Sequence, residues 1–328
     1  MKTVTDLSRL RTEKRLACLA LGVFDGVHRG HRQIVRRTVA RAAREGGEAW
    51  ILSFDAHPDK VLRPRFAPAL LTSTPHKLDI LAELGIDGCV LVHFTPRFAT
   101  MEPETFVARL CKTAPGLRAI FVGKDWRFGK AGRGDVALLS REAGRHGIAV
   151  EAVPPVRWRG AVISSTRIRN AIGQGKLKAA AAMLGRPFSL MGNVVHGKRI
   201  GRKLGFPTAN IDPHNEACPP IGVYAVRARL AGRTYDGVIS IGLRPTFEHG
   251  KGRRVTVELH LLDFARNIYG KTIEVFFLAR LRGERRFASA RDLAAQIARD
   301  IAKAREILAR ENLRKARKNT LQAPPSQI

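Results

Sequence analysis

Cysteine is scarce in this chain of 328 residues: there are four, and none are spaced Cys-x-x-Cys. Cys18, Cys89 and Cys111 sit in apolar stretches, and Cys218 stands apart. That usage argues against a zinc centre or a disulfide framework, and it fits buried thiols in a reducing cytoplasm. Long apolar runs are missing as well, and none approaches the roughly 20 residues of a membrane helix. The run at residues 16–24 follows a basic stretch (Arg11, Lys14, Arg15), as a leader would. No small-x-small cleavage site follows it, however, and Asp25, His28 and His31 come at once, so it reads as a first buried strand. Acidic residues number 28 against 58 basic ones, for a net charge of +30. Such an excess attracts polyanions without specificity. Aromatics are only 6%, and the basic residues spread over the whole length, including a helical face of Arg29, Arg32, Arg36, Arg37, Arg41 and Arg44. A generally basic surface is therefore expected, not a dedicated nucleic-acid module, which would cluster its charge among aromatics. No membrane partner is expected, and homo-oligomerisation is left open.

The length suits about two domains. Up to about residue 160, apolar runs alternate with helical patterns. Strands are expected at 16–24, 49–54, 88–94, 119–122 and 148–153, and helices at 31–45, 75–84, 103–112 and 136–144. That alternation predicts a parallel sheet with helices on both faces, binding ligands beyond the carboxyl ends of its strands. Near residues 184–187 the texture changes to short period-two strands with Gly and Pro turns, at 188–195, 222–230, 234–241, 254–262 and 272–281. These suggest a small antiparallel barrel. A closing helix then begins, capped by Ser289 with Asp292 in its first turn. Its apolar stripe of Leu293, Ile297, Ile301 and Leu308 should pack on the barrel. From Glu311 onward the chain turns basic, then polar with two prolines, and disorder is expected there.

Gly22-Val-Phe24-Asp25-Gly26-Val-His28-Arg-Gly30-His31 follows the first strand and opens a helix. Glycines let backbone approach a phosphate closely, and a helix N-terminus holds anions. His28 and His31 are three apart and share a face, where two imidazoles can donate hydrogen bonds to phosphate oxygens as charge builds during displacement at phosphorus. A second segment, Ile163-Ser164-Ser165-Thr166-Arg167-Ile-Arg169, opens another helix. Its hydroxyls can cap the helix or bond phosphate, and Arg167 can neutralise a triphosphate.

Further on, Gly197, Gly201, Arg202 and Gly205 form a glycine-rich basic loop leading into Pro207-Thr208-Ala-Asn210. It is not a Walker loop, since Gly-x-x-x-x-Gly-Lys-[Ser/Thr] is absent. Thr208 and Asn210 are two apart, so on an extended segment both point the same way. Their hydroxyl and amide oxygens are suitable hard ligands for Mg²⁺. In Thr256-Val-Glu258-Leu-His260, Val255, Val257, Leu259 and Leu261 should face the core, leaving Thr256, Glu258 and His260 on the other face. By pattern alone Glu258 is a solvated strand residue.

The early His-x-Gly-His with the late Ile-Ser-Ser-Thr-x-x-Arg resembles the nucleotidylyl-transferase superfamily. Over residues 15–310 the chain resembles the bacterial bifunctional riboflavin kinase/FMN adenylyltransferases (FAD synthetases). The likeness takes in Ser53-Phe-Asp-Ala-His57-Pro58, Leu71-Thr72, Lys77, Phe98, Phe106, Asp125-Trp-Arg-Phe128, Arg244-Pro-Thr-Phe247 and Leu281-Arg282…Phe287. The resemblance implies a Rossmann-like α/β nucleotidylyltransferase domain (residues 1–184), an antiparallel β-barrel flavokinase domain with a closing helix (185–312), and a tail (313–328). It implies ATP and Mg²⁺ as co-substrate and cofactor, with riboflavin, FMN and FAD as substrates and products. In the first domain ATP is expected on Gly22, Phe24, Asp25, Gly26, His28, Gly30, His31, Ser164, Ser165, Thr166 and Arg167. The flavin is expected on Phe54, His57, Pro58, Asp125 and Phe128. In the second, ATP is expected on the glycine loop through Asn210, the metal on Thr208 and Asn210, and Glu258 occupies the place of the catalytic base. The family usually has Pro where Ala56 stands, Phe where Trp126 stands and Thr where Leu243 stands.

Overall fold

The computed structural model describes residues 1–13, 15–197, 200–245 and 253–322. The chain divides into two compact units, Met1–Arg169 with Met183–Gly185, and Asn170–Ala182 with Arg186–Ile328. In the first, six parallel strands form one sheet: β1 (Lys2–Val4), β2 (Leu16–Leu21), β3 (Glu48–Phe54), β4 (Gly88–Val92), β5 (Ala119–Gly123) and β6 (Ala149–Val153), ordered β1-β4-β3-β2-β5-β6. The helices connecting them are α1 (Arg29–Arg44), α2 (Asp59–Leu62), α3 (Thr74–Glu83), α4 (Pro96–Ala99), α5 (Pro103–Thr113) and α6 (Val136–Gly144). A hairpin of β7 (Arg157–Trp158) and β8 (Ala161–Val162) follows, then α7 (Ser165–Gly173) and α8 (Leu177–Leu184).

β2 is buried at every residue because helices cover both faces. Alternate side chains split between two cores. Leu19, Leu21, Trp50, Leu52, Ile120 and Val122 meet Phe106, Val107 and Leu110 of α5 and Leu139 of α6. Cys18, Ala20, Ile51, Cys89 and Phe121 meet Val35 of α1 and Ile80 and Leu81 of α3. The chain steps outward from β2 to β3 and β4, then returns to the other side of β2 for β5 and β6. That reversal places a crevice beyond the carboxyl ends of β2 and β5, where ligands bind in open sheets of this kind.

The second unit is a closed antiparallel barrel of β9 (Ser189–Val195), β10 (Ala209–Pro213), β11 (Gly222–Leu230), β12 (Arg233–Pro245), β13 (Arg253–Leu261) and β14 (Thr272–Arg282), in the order β10-β13-β12-β11-β14-β9. α9 (Ile200–Lys203) interrupts the connection from β9 to β10. Val257, Leu259 and Leu261 are buried as the alternation requires, whereas Val255, expected in the core, is exposed near the start of its strand. The final helix α10 (Ala290–Gln322) is capped by Ser289, whose hydroxyl accepts from the Asp292 amide at 3.1 Å. Ile301, Ala304, Ile307 and Leu308 pack on Val223, Ala225, Val238, Leu262 and Leu281, while Leu293 and Ile297 stay half-buried. The helix runs to Gln322, beyond Glu311 where disorder was expected. Residues 311–322 contain neither Pro nor Gly to stop it, and the first proline is Pro324.

Candidate active sites

Beyond β2 the chain turns sharply, with Phe24, Gly26 and Val27 all left-handed (φ 54°, 77° and 38°). A Cβ on Gly26 would stand 2.7 Å from the Leu71 side chain, so both backbone and surroundings require glycine there. Holding non-glycine residues in this region costs on the order of 1–3 kcal/mol each. Complete burial of Phe24 and Val27 opposes that strain. The turn delivers His28 as the N-cap of α1, its Nδ1 accepting from the His31 amide at 3.3 Å. That bond places the proton of a neutral His28 on Nε2. The two imidazoles stack, with centroids 3.6 Å apart and planes 17° from parallel, and Phe24 meets His31 edge-on at 5.3 Å. Burial, then the neighbouring His28 and Lys77, hold His31 well below the ordinary imidazole range, so it is neutral at physiological pH. His31 Nδ1 is sealed from solvent and has no hydrogen-bond partner among the described residues.

Asp25 is buried, and its carboxylate accepts from the Leu71 amide (3.0 Å), the Thr72 amide (3.1 Å) and Arg169 Nη2 (2.9 Å). Its carbonyl accepts from Ser165 Oγ at 2.9 Å, and Ser164 Oγ accepts from the Arg167 amide in the first turn of α7. The motif at the start of the sheet and the one at its end are thus tied through Asp25. A narrow cleft beside them is lined by Val23, Asp25, Phe54, Asp55, His57 and Lys77, among others. Burial pushes His57 below its usual range, opposed by Asp59 and Asp25. Behind Phe54 a chain of ring contacts runs through Phe94, Phe98, Phe106 and Phe128 to Trp126, which stacks on Phe128 at 4.6 Å and 13°.

In the barrel, β10 pairs antiparallel with β13, and Asn210 stands opposite Glu258. The loop from β9 folds over these residues. A Cβ on Gly197 would overlap the Asn210 side-chain amide, and Gly201 lies against the Thr208 side chain. His260 Nδ1 bonds the Pro207 carbonyl at 2.8 Å, fixing the Pro-Thr-Ala-Asn segment to β13. Beside it opens a cavity of about 450 Å³, walled by Arg202, Pro207 and Thr208 and by the loop from Phe264 to Tyr269. Among the described residues, no group of three or more His, Cys, Asp or Glu is placed to hold a metal. Thr208 and Asn210, where a cation was expected, lie under the glycine loop.

A family model for FAD synthetase matches residues 10–167, and one for riboflavin kinase matches residues 184–308. The bifunctional riboflavin kinase/FMN adenylyltransferase of Escherichia coli (strain K12) is 37% identical over 308 residues, covering 93% of this chain and 97% of that protein. This chain belongs to the bifunctional riboflavin kinase/FMN adenylyltransferase family. The family member from Pseudomonas fluorescens is also 37% identical, over 94% of this chain and 98% of its own. A crystal structure described as a macrolide-efflux protein from Streptococcus pneumoniae has the same fold, with a TM-score of 0.81 at 29% identity over 93% of this chain and 99% of that one. No described helix of the present family member is long and apolar enough to cross a membrane.

Within this family member, Gly22, Phe24, Asp25, Gly26, His28, Gly30 and His31 lie on one turn and the start of one helix, and Ser164 and Ser165 adjoin them through Asp25. Arg167 does not point where the sequence suggests. Its guanidinium donates to the carbonyls of Trp158, Ala161 and Val162 and lies 5.4 Å over the Trp158 ring. Arg169, two residues on, takes the place beside Asp25. In a helix those two side chains leave at angles about 200° apart, so only one can face the turn. Asp25 itself is saturated by amides and Arg169, which suits a residue that shapes the turn better than one that meets phosphate. Phe54 and His57 reach the cleft, with Pro58 beginning the short helix beyond. Asp125 is exposed past β5, and Phe128 is buried in the aromatic chain. Gly205 (φ 86°) ends the turn after α9. Thr246 and Phe247 lie outside the described residues. The loop from Phe264 to Tyr269 was not expected, since nothing in its composition marks a binding wall. Its aromatics are Phe264, edge-on to Tyr235 at 5.0 Å, and Tyr269, stacked on His196 at 4.0 Å.

Proposed function

We infer that this chain phosphorylates riboflavin to FMN in its barrel and adenylylates FMN to FAD on its parallel sheet, consuming ATP in each step and releasing ADP and then pyrophosphate. The observation that carries the reading is that each unit has its own anion cradle, one of imidazoles and helix amides, the other of a glycine loop and hard oxygens.

In the barrel, the 5′-hydroxyl of riboflavin attacks the γ-phosphorus of ATP, a new O–P bond forms, and the bond to the β-phosphate oxygen breaks. Glu258 accepts the hydroxyl proton. Thr208 and Asn210 would hold Mg²⁺, whose oxygen preference suits their donors and the glycine cradle over them. When bound, that ion supplies positive charge to the phosphates. Arg202 and the Gly197–Gly205 backbone position the triphosphate. The loop from Phe264 to Tyr269 supplies an apolar wall.

On the sheet, a phosphate oxygen of FMN attacks the α-phosphorus and pyrophosphate leaves, so no proton need be removed from the nucleophile. His28 and His31 donate hydrogen bonds to the oxygens that gain charge. The stacking of the two imidazoles at the opening of α1, where helix amides gather, supports this role. Phe54 and His57 support a flavin site in the cleft, backed by the ring contacts that run to Phe128 and Trp126.

Residues 1–184 and 185–312 are assigned to the two activities in that order. The thiols of Cys18, Cys89, Cys111 and Cys218 are free, three of them buried, which supports a reducing cytoplasm. The net charge supports only salt-sensitive polyanion binding. Incubation with riboflavin, ATP and Mg²⁺ followed by flavin chromatography tests the reading. FMN and then FAD should appear, and unchanged riboflavin would refute it.

A further inference from the structure

Lys77 is a buried cation that neither phosphoryl-transfer step uses. It sits one turn into α3, only 5% exposed. Its ammonium donates to the Phe54 carbonyl at 2.7 Å, to Ser53 Oγ at 3.0 Å and to the Val23 carbonyl at 3.3 Å. Ser53 Oγ in turn donates to the same Val23 carbonyl at 3.0 Å. These three acceptors exhaust the donors of an ammonium. Lys77 therefore has none left for a phosphate, although it lines the cleft. It fastens the carbonyl just before the strained turn at Phe24 to the end of the neighbouring strand, and that turn sets where His28 and His31 stand.

The charge acts as well as the bonds. Facing Lys77 are His31 from α1, Asp25 from the turn, Asp55 and His57 beyond β3, and the Cys89 thiol on β4. Asp25 is paired with Arg169, and Asp55 with His93 at 2.6 Å, so both neighbouring carboxylates already have other cationic or imidazole partners. Lys77 lowers the proton affinity of both His31 and His57.

We propose that Lys77 is the positioning residue of the adenylyl-transfer centre, clamping the Val23 and Phe54 carbonyls so that the His28–His31 pair is held in place. The proposal rests on the assignment of FMN adenylylation to the parallel sheet. Its electrostatic consequence is a pH limb. Burial lowers Lys77 to about 8 despite the opposing Cys89, Asp25 and Asp55. Deprotonation would remove the charge and one of the donated bonds as pH rises through that value.

The test uses full-length Lys77→Met and Lys77→Arg, with riboflavin phosphorylation and FMN adenylylation assayed separately from about pH 6 to 9.5. Lys77→Met should lose roughly tenfold or more in kcat for FAD formation, with KM for ATP much less affected, because donors displaced from the transition state cost rate before binding. Riboflavin phosphorylation should stay within about twofold, since it lies on the other unit. Wild-type FAD formation should fall as pH rises through about 8. Lys77→Arg, charged at every accessible pH, should recover much of the rate and lack that limb. In Lys77→Met the His31 imidazole resonances should titrate nearer the ordinary range. A Met variant with wild-type rate and pH profile overturns the proposal. So does an Arg variant that keeps the alkaline limb, and that outcome decides alone if the Met variant fails to fold. A wild-type chain that phosphorylates riboflavin but makes no FAD overturns the assignment of the sheet, and this proposal with it.

Discussion

Asn210 and Glu258 face each other across the β10–β13 pairing, so a hard-oxygen donor and a carboxylate are held by the register of a sheet and not by a loop. Ser240 flanks Glu258 from the opposite side, on β12. A strand held on both edges cannot drift without breaking two ladders. Glu258→Gln keeps the shape and removes the proton acceptor proposed above. It is expected to lower FMN formation by about 10²–10⁴ while FMN-to-FAD conversion continues, measured by chromatography from each flavin separately.

The opposite dissection applies to the stacked imidazoles. His28→Ala with His31→Ala should reduce FAD formation by about 10²–10³ or more, the cost of removing donors aimed at developing charge. Riboflavin phosphorylation should persist. Loss of both activities together would argue that the pair serves folding, not transfer.

Arg169→Met isolates the structural side of the same site. It leaves the Asp25 carboxylate buried without its hydrogen-bonded cation, and breaking a buried pair this way costs about 3–5 kcal/mol. All three tryptophans, Trp50, Trp126 and Trp158, belong to the first unit, and all three tyrosines to the second. The urea midpoint followed by tryptophan fluorescence should therefore drop. A midpoint equal to wild type would contradict the role given to this pair.

The same fluorescence reads the pH dependence. His31 and His57 are depressed in the folded chain, so below about 6.5 the unfolded chain binds more protons than the folded one. Stability of the first unit should fall as pH is lowered through that value. Lys77, lowered from 10.5 to about 8, works in the same direction at the other end: between those values the unfolded chain again holds the extra proton, and stability should rise with pH. Denaturant midpoints measured at about pH 5.5 and 7.5 should increase in that order, and replacing His31 by Asn should flatten the acid side; toward pH 9 the buried thiols of Cys18 and Cys89, raised to about 11, oppose Lys77.

Much of this was legible because burial on both faces and alternation leave different marks. The all-apolar β2 and the period-two β13 each declare their sheet type in the sequence alone. β1 left no mark, since three residues paired to one edge, Lys2 opposite Gly88, carry no pattern. The different directions taken by the Arg167 and Arg169 side chains were also hidden. Both are arginines on one helix turn, and what separates them is the hairpin of Trp158, whose carbonyls claim the first. The link from Lys77 to Val23 and Phe54 joins residues 54 and 23 positions apart, a proximity that only the folded sheet creates.

The barrel closes through its first strand, β9, which pairs with both β10 and β14. Until Thr272 and the residues after it have left the ribosome, two ribbon edges stay open to any passing chain. The first unit has all its residues once Gly185 emerges. The module that handles the vitamin first is thus the last to mature, and a nascent polypeptide stalled between those points would carry a finished second catalyst behind an unfinished, aggregation-prone first one.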